Sequence, residues 1–313
     1  SLNRSLKIGV YPPQREGDLR RGGGWCEGKN TTTINGGEEL MRTEHDSIGS
    51  INLPDDAYYG VQSMRAKENF PMTGRLMHPY MVDSLVIIKK AAAMANQRAG
   101  VLKPEIASAI IRACDEILGG KLRDQFVVDP IQGGAGTSAN MNANEVIANR
   151  ATEILGGQKG EALVHPNDHV NMAQSTNDVF PSAGKLTAIR LTGELLEALD
   201  RLIASLERKA EEYAHVIKLG RTQLQDAVPM FAGQEFKAHA HALRRCSMRI
   251  LRSRNELFEL NLGATAIGTS INATQGYLDC VVDILADLVG QPLKQADDLI
   301  DATQNPDGFA AIS

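Results

Sequence analysis

Three polar segments hold the residues whose types and spacing could do chemistry. The first is Gly133-Gly134-Ala135-Gly136-Thr137-Ser138-Ala139-Asn140-Met141-Asn142, which follows the turn Asp129-Pro130. Glycines ahead of a helix let an anion approach the N–H groups of its first turn. Thr137 and Ser138 add hydroxyl donors. No Gly-Lys-Ser/Thr follows, so a nucleotide P-loop is a poor reading. A tight turn with a Ser/Thr cap has the same residues, so this segment alone leaves both an anion site and a structural cap open. The second segment is His165-Pro166-Asn167-Asp168-His169-Val170-Asn171-Met172-Ala173-Gln174-Ser175-Thr176-Asn177-Asp178. So many small polar groups ahead of a long helix are costly unless they are exposed or satisfied by a ligand. Ser175, Thr176 and Asn177 offer hydroxyl and amide groups to an anion. His165, Asp168 and His169 invite a metal, but their spacing matches no standard ligand set and Pro166 interrupts it. No metal site is therefore expected. A loop held by its own hydrogen bonds accounts for His169 and Asn171. The third segment, Gly220-Arg221-Thr222-Gln223-Leu224-Gln225-Asp226-Ala227-Val228-Pro229, links two long helical patterns. By itself it reads as an interhelical turn.

The elements that must position these groups are helices. One pattern runs from about Met81 to Ala99 and stops at Gly100. The next has Pro104 in its first turn, Gly119-Gly120 past its end, and Ile106, Ile110, Ala113 and Ile117 at helical spacing. Asn140 to Leu155 fits another, ended by Gly156-Gly157. Residues 46–80 read as loop and short elements. From Ser182 to Tyr213 there is no proline, and Leu195, Leu199, Leu202, Leu206, Ala210 and Tyr213 repeat at three and four residues. That predicts a helix of nearly 50 Å at about 1.5 Å per residue. After Pro229, Phe236, Leu243, Ile250 and Leu257 lie seven apart. Two such seams predict a long bundle shared between subunits. Tyr277 to Val289 fits a further helix. Arg244, Arg245, Arg249, Arg252 and Arg254 read as a solvated or interface face.

Composition narrows the function classes. Aromatics are 4% of the 313 residues, so the core must rest on Leu, Ile, Val, Ala and Met, which favours packed helices. The net charge of −5 argues against a nucleic-acid binder. No apolar stretch approaches the roughly 18–20 residues of a membrane span. Cys26, Cys114, Cys246 and Cys280 form no CxxC pair, which fits reduced thiols in a cytoplasmic protein. Residues 1–40 hold 8 of the 29 glycines and no helical or strand period. They read as an atypical, disordered leader, with Met41 the expected native start.

Together the three segments resemble the fumarase/aspartase superfamily. The likeness runs from Met41 to Ser313 and includes Tyr58-Tyr59-Gly60-Val61-Gln62 and Asn261-Leu262-Gly263-Ala264-Thr265-Ala266-Ile267-Gly268-Thr269. It implies an all-α fold: an N-terminal helical domain over 41–176, then an incomplete long central helical bundle over 177–313. It also implies a homotetramer whose active sites each draw on three separate regions from three subunits. Three details look more like the aspartase branch than class II fumarases. Fumarases usually carry Ser-Gly-Thr at Ala135-Gly136-Thr137, a Thr-His pair at Thr222-Gln223, and Ser-Ser-Asn at Ser175-Thr176-Asn177. The implied reaction is reversible elimination of ammonia from L-aspartate, giving fumarate through an aci-carboxylate. By resemblance Thr137, Ser138, Ser175 and Thr176 belong to the substrate site, with Thr222 helping to hold the other carboxylate. Asn177 and Gln223 sit near the amino group. His165, Asn167 and Asp168 match a secondary anion site. No organic cofactor is implied, and some aspartases respond to divalent cations.

The family's base is a serine in a loop reading Gly-Ser-Ser-x-Met-Pro-x-Lys-x-Asn. The 313 residues contain no such segment, and Ser270 is not followed by Met-Pro-x-Lys. The chain therefore reads as truncated at its C-terminus and, alone, as inactive. Class II fumarase and a non-catalytic fragment pairing with a full-length subunit are the alternatives.

Overall fold

The computed structural model describes residues 40–313, so the expectation of a leader over 1–40 falls, apart from Leu40, outside the described residues. The fold is all-α with short strands, and its chain divides into two compact units. The first comprises residues up to Met77, Val86–Ala173 and Thr274–Leu293. It opens with the antiparallel pair β1 (Met41–His45) and β2 (Ser50–Pro54), with Met41 opposite Pro54. Arg42 ties this hairpin down: its guanidinium donates to the carbonyls of Pro54, Ala57 and Tyr59 at 2.9, 2.7 and 3.1 Å. Helices α1 (Val61–Asn69), α2 (Pro79–Arg98), α3 (Pro104–Leu118) and α4 (Thr137–Ile154) follow, α2 from Val86 onward belonging to this unit. In α3 the expected punctuation holds: Pro104 opens it, Gly119 follows, and Ala107, Ile110, Ala113, Cys114 and Ile117 form its buried stripe. α4 buries Ala139, Ala143, Val146, Ile147 and Ala151, and also Asn140, Asn142, Asn144 and Glu145.

The second unit comprises His78–Leu85, Gln174–Ala273 and Lys294–Ser313. Its spine is α5 (Thr176–Glu212), followed by a hairpin of β3 (Ile217–Thr222) and β4 (Gln225–Phe231), then α6 (Ala232–Arg254). α5 and α6 run back along one another. At Gly233 a Cβ would lie 2.2 Å from the Ala210 carbonyl oxygen, so only glycine fits there. Tyr213 stacks on Phe236 one turn away, ring centroids 5.7 Å apart. The minimal strands β5 (Glu259–Leu260) and β6 (Lys294–Gln295) pair in parallel. Two details differ from the sequence reading. The expected helix over 277–289 is broken into α7 (Gln275–Leu278) and α8 (Val281–Val289), because Cys280 leaves helical backbone with φ −140°. The expected interhelical turn is the β3–β4 hairpin, whose tip residues Gln223 and Leu224 have φ 47° and 66°. Paired left-handed residues suit the twist of a two-residue hairpin. α9 (Leu299–Gln304) and α10 (Asp307–Ile312) close the described chain. No described helix is long and apolar enough to cross a membrane.

Candidate active site

The glycine-rich segment is a held loop that delivers the start of α4. Gly134 and Gly136 have φ 69° and 94°, the left-handed region where a Cβ is strained. Gln132 clamps the loop: its Nε2 donates to the Asp129 carbonyl at 3.0 Å and its Oε1 accepts from Ala139 N–H at 2.7 Å. The Asp129 carboxylate accepts from Thr73 N–H, Thr73 Oγ1–H, Gly74 N–H and Ile131 N–H. Burial pushes that carboxyl up, but these donors hold it below its ordinary value. Thr137, at the first helical position, is exposed, and Ser138 is half-buried. Both hydroxyls sit where the helix end favours negative charge.

The start of the second segment, Pro166–Val170, is a π-helical turn. His165 N–H donates to His169 Nδ1 at 2.9 Å, and Asp168 N–H donates to His165 Nδ1 at 3.1 Å. The His169 ring thus uses Nδ1 as acceptor, which places its neutral-form proton on Nε2. Asn167 and Asp168 are exposed beside them, with Asp168 Oδ2 3.2 Å from His165 Nδ1. Burial holds His169 below its ordinary value. A histidine depressed on folding contributes stability that is complete above the unfolded value of about 6.5 and declines as pH falls below it. Urea midpoints are therefore expected to drop between pH 7.5 and 5.5, and His169→Gln to flatten that drop. A flat or rising profile in the unsubstituted chain would contradict this assignment.

The end of that segment caps α5. Ser175 Oγ accepts from Asn177 N–H at 3.3 Å, while Ser175 N–H donates to Asp178 Oδ1 at 2.9 Å, a reciprocal cap. Asp178, fully buried, also accepts through Oδ2 from Gly263 N–H and Thr265 N–H, both at 3.1 Å. Pro181, the sixth residue of α5, has no N–H to give the Asn177 carbonyl. That carbonyl accepts instead from Asn261 Nδ2 at 3.0 Å. Asn177 in turn donates through Nδ2 to the Ala266 carbonyl at 2.7 Å. The loop 261–266 therefore holds the start of α5 directly at Asn177 and, through Asp178, at Ser175. The sequence reading singled out the three polar residues but gave no role to Asp178, Pro181 or Asn261. Their signal was present only as a capping pattern and a misplaced proline.

Thr222 and Gln223 lie elsewhere. They sit at the exposed tip of the β3–β4 hairpin, next to Leu224, which is 91% exposed. α5 separates them from Ser175 by roughly 55 Å at about 1.5 Å per residue. The six-residue strand β3 reaches back at most about 20 Å. One copy of the chain thus keeps Thr222 and Gln223 well apart from Ser175, Thr176 and Asn177. Among the described residues, no group of three or more His, Cys, Asp or Glu side chains is placed to hold a metal ion.

The fold is all-α, with hydroxyl and amide side chains gathered at the starts of α4 and α5. Comparison with known proteins narrows this. The family model described as Lyase matches residues 49–313. An aspartate ammonia-lyase of a Bacillus species is 51% identical over 274 residues, covering 87% of this chain and 58% of the relative. That of Escherichia coli K12 is 46% identical over 276 residues, with 87% and 58% covered. Among solved structures, a Brucella melitensis protein titled fumarate lyase:delta crystallin, bound to cobalt, superposes with a TM-score of 0.86 at 47% identity, covering 87% of this chain and 60% of that one. Class II fumarase from Schistosoma mansoni gives 0.84 at 34% identity, with 87% and 61% covered. This chain belongs to that lyase family, in the fumarase/aspartase superfamily. It spans a little under three fifths of the length of the relatives it matches.

Proposed function

We propose that this chain serves an aspartate ammonia-lyase, eliminating ammonia reversibly from L-aspartate to give fumarate. The observation that carries the reading is the orientation of Asn177. Its Nδ2 is committed to the Ala266 carbonyl, and the flipped amide would set two oxygens against each other. The side-chain oxygen Oδ1 of Asn177 is therefore the atom turned toward a ligand, a neutral acceptor suited to an ammonium. Ser175 Oγ accepts from its own cap, so its proton is available to a carboxylate. Thr137, Ser138, Ser175 and Thr176 would hold the carboxylate that becomes the aci-carboxylate, where fixed donors lower the barrier most. Thr222 would hold the other carboxylate, and Gln223 would assist Asn177. His165, Asn167 and Asp168 would form a secondary anion site. The substrate's own carboxylate takes up the charge, so no organic cofactor is needed.

The length of α5 supports a site shared between copies in a homotetramer. Leu195, Leu202, Met248 and Leu251, exposed on α5 and α6, are the apolar faces such an assembly would cover. A cytoplasmic setting fits the three free cysteines among the described residues, Cys114, Cys246 and Cys280. None of the 313 residues supplies the Gly-Ser-Ser-x-Met-Pro-x-Lys-x-Asn serine, so the chain alone should not turn aspartate over. The test is complementation. A full-length aspartate ammonia-lyase, such as the Bacillus subtilis relative, is disabled at its own counterparts of Ser175, Thr176 and Asn177. Co-expression with this chain should restore fumarate formation from aspartate. Mixed assemblies that form and stay inactive would overturn the proposal.

A further inference from the structure

A buried lysine joins the first two polar segments, and neither segment's sequence points to it. Lys89 lies in α2 directly after the apolar run Leu85-Val86-Ile87-Ile88, and its side chain is fully buried. Its Nζ donates to Asn171 Oδ1 at 2.7 Å. The same oxygen accepts from Asn140 Nδ2 at 3.3 Å. Asn140 is 1% exposed and stands three residues after Thr137, at the start of α4. Asn171 caps the π-helical turn, its N–H donating to the Pro166 carbonyl at 3.0 Å. One heptad beyond Lys89, on the same face of α2, Asn96 donates to the Met172 carbonyl at 3.0 Å. A single polar stripe on an apolar helix thus grips residues 171 and 172, and through Asn171 it grips the first turn of α4.

A buried ammonium is a poor way to stabilise a fold. Its desolvation cost is large, and well-packed apolar replacements of buried ionic groups are often neutral or stabilising. What an ammonium does well is fix the direction of a carbonyl oxygen, because charge-assisted bonds are short and strong. We infer that Lys89 is a positioning residue: through Asn171 it sets the placement of Thr137 and Ser138 together with the His165–Asp168 turn. The inference rests on the proposed role of those segments, and it differs from a scaffold role in what removal of the charge does.

Amide hydrogen exchange on the purified chain separates the two. In Lys89→Met the melting temperature is expected to fall by no more than a few degrees, because Asn171 Oδ1 loses the ammonium but keeps its bond from Asn140 Nδ2. Exchange should speed up by about tenfold or more in residues 133–140 and 165–172 and remain unchanged in α3. Uniform acceleration with a larger fall in melting temperature would make Lys89 a scaffold residue and overturn the inference, as would unchanged exchange in both segments. Should Lys89→Met not fold, Lys89→Gln is read in the same way. In the complementation assay, Lys89→Met should lower fumarate formation while mixed assemblies persist. Failure of the unsubstituted chain in that assay counts against the proposed function and leaves the exchange result standing.

Discussion

Asp178→Ala is expected to unfold the start of α5 and cost the chain a large share of its stability. The carboxylate takes three backbone donors at once: Ser175 N–H, Gly263 N–H and Thr265 N–H. It is fully buried, so water cannot replace it without opening the structure. Each stranded buried donor costs about 1–3 kcal/mol, which sums to at least ~3 kcal/mol. Typical domains hold only about 5–15 kcal/mol in total. Asp178→Asn keeps the shape and one acceptor oxygen but turns an NH2 toward N–H donors, so it should fall between the parent and alanine. Urea unfolding followed by helical circular dichroism gives the order. Alanine within about 0.5 kcal/mol of the parent would remove Asp178 from its place as the clamp of Ser175, Thr176 and Asn177.

Glu145→Ala should do comparable damage in the other unit. Glu145 projects from α4 onto the start of α1 and accepts from Gly60 N–H, Gln62 N–H and Ser63 N–H at 2.9, 2.8 and 3.1 Å, and from Ser63 Oγ. α1 has no capping side chain of its own, so a carboxylate from another helix does that work. The fit is tight: a Cβ on Gly60 would lie 2.9 Å from Glu145 Cδ. Burial pushes the Glu145 carboxyl up, against the pull of Ser63 and the backbone donors. Alanine should cost about 3–5 kcal/mol by stranding these donors and leaving a cavity. Glu145→Gln should cost less, since it keeps an acceptor oxygen and buries no charge. A glutamine variant weaker than the alanine variant would show that the charge itself holds α1.

How much was legible in the sequence depended on how local each cause was. Pro104, the Ile106–Ile117 spacing and Gly119 lie within one helix, and α3 follows them. The seam Leu195–Tyr213 marked α5, but its start at Thr176 lies before Pro181, which a proline-free reading excludes. The proline is tolerated because Asn261 takes its place as donor to the Asn177 carbonyl. The partners of Asp178 lie 85 and 87 residues away, a separation no short pattern reports. The β3–β4 hairpin escaped notice because its tip, Gln223-Leu224, lacks the Asn-Gly or Asp-Gly that usually marks such turns. Lys89 sits in a run that reads as core, and only the fold shows its Nζ beneath Asn171. Residue types therefore marked the candidate segments, while the groups that hold those segments in place became visible only in three dimensions.

At stake is the proposed assignment of the Ser175, Thr176 and Asn177 group to an ammonia-lyase. The most direct measurement is the initial rate of fumarate formation from aspartate and from malate in mixed assemblies with the disabled full-length relative. That assignment requires fumarate from aspartate, none above background from malate, and loss of the aspartate rate when this chain carries Asn177→Ala. Fumarate from malate, or an aspartate rate indifferent to Asn177→Ala, would contradict it.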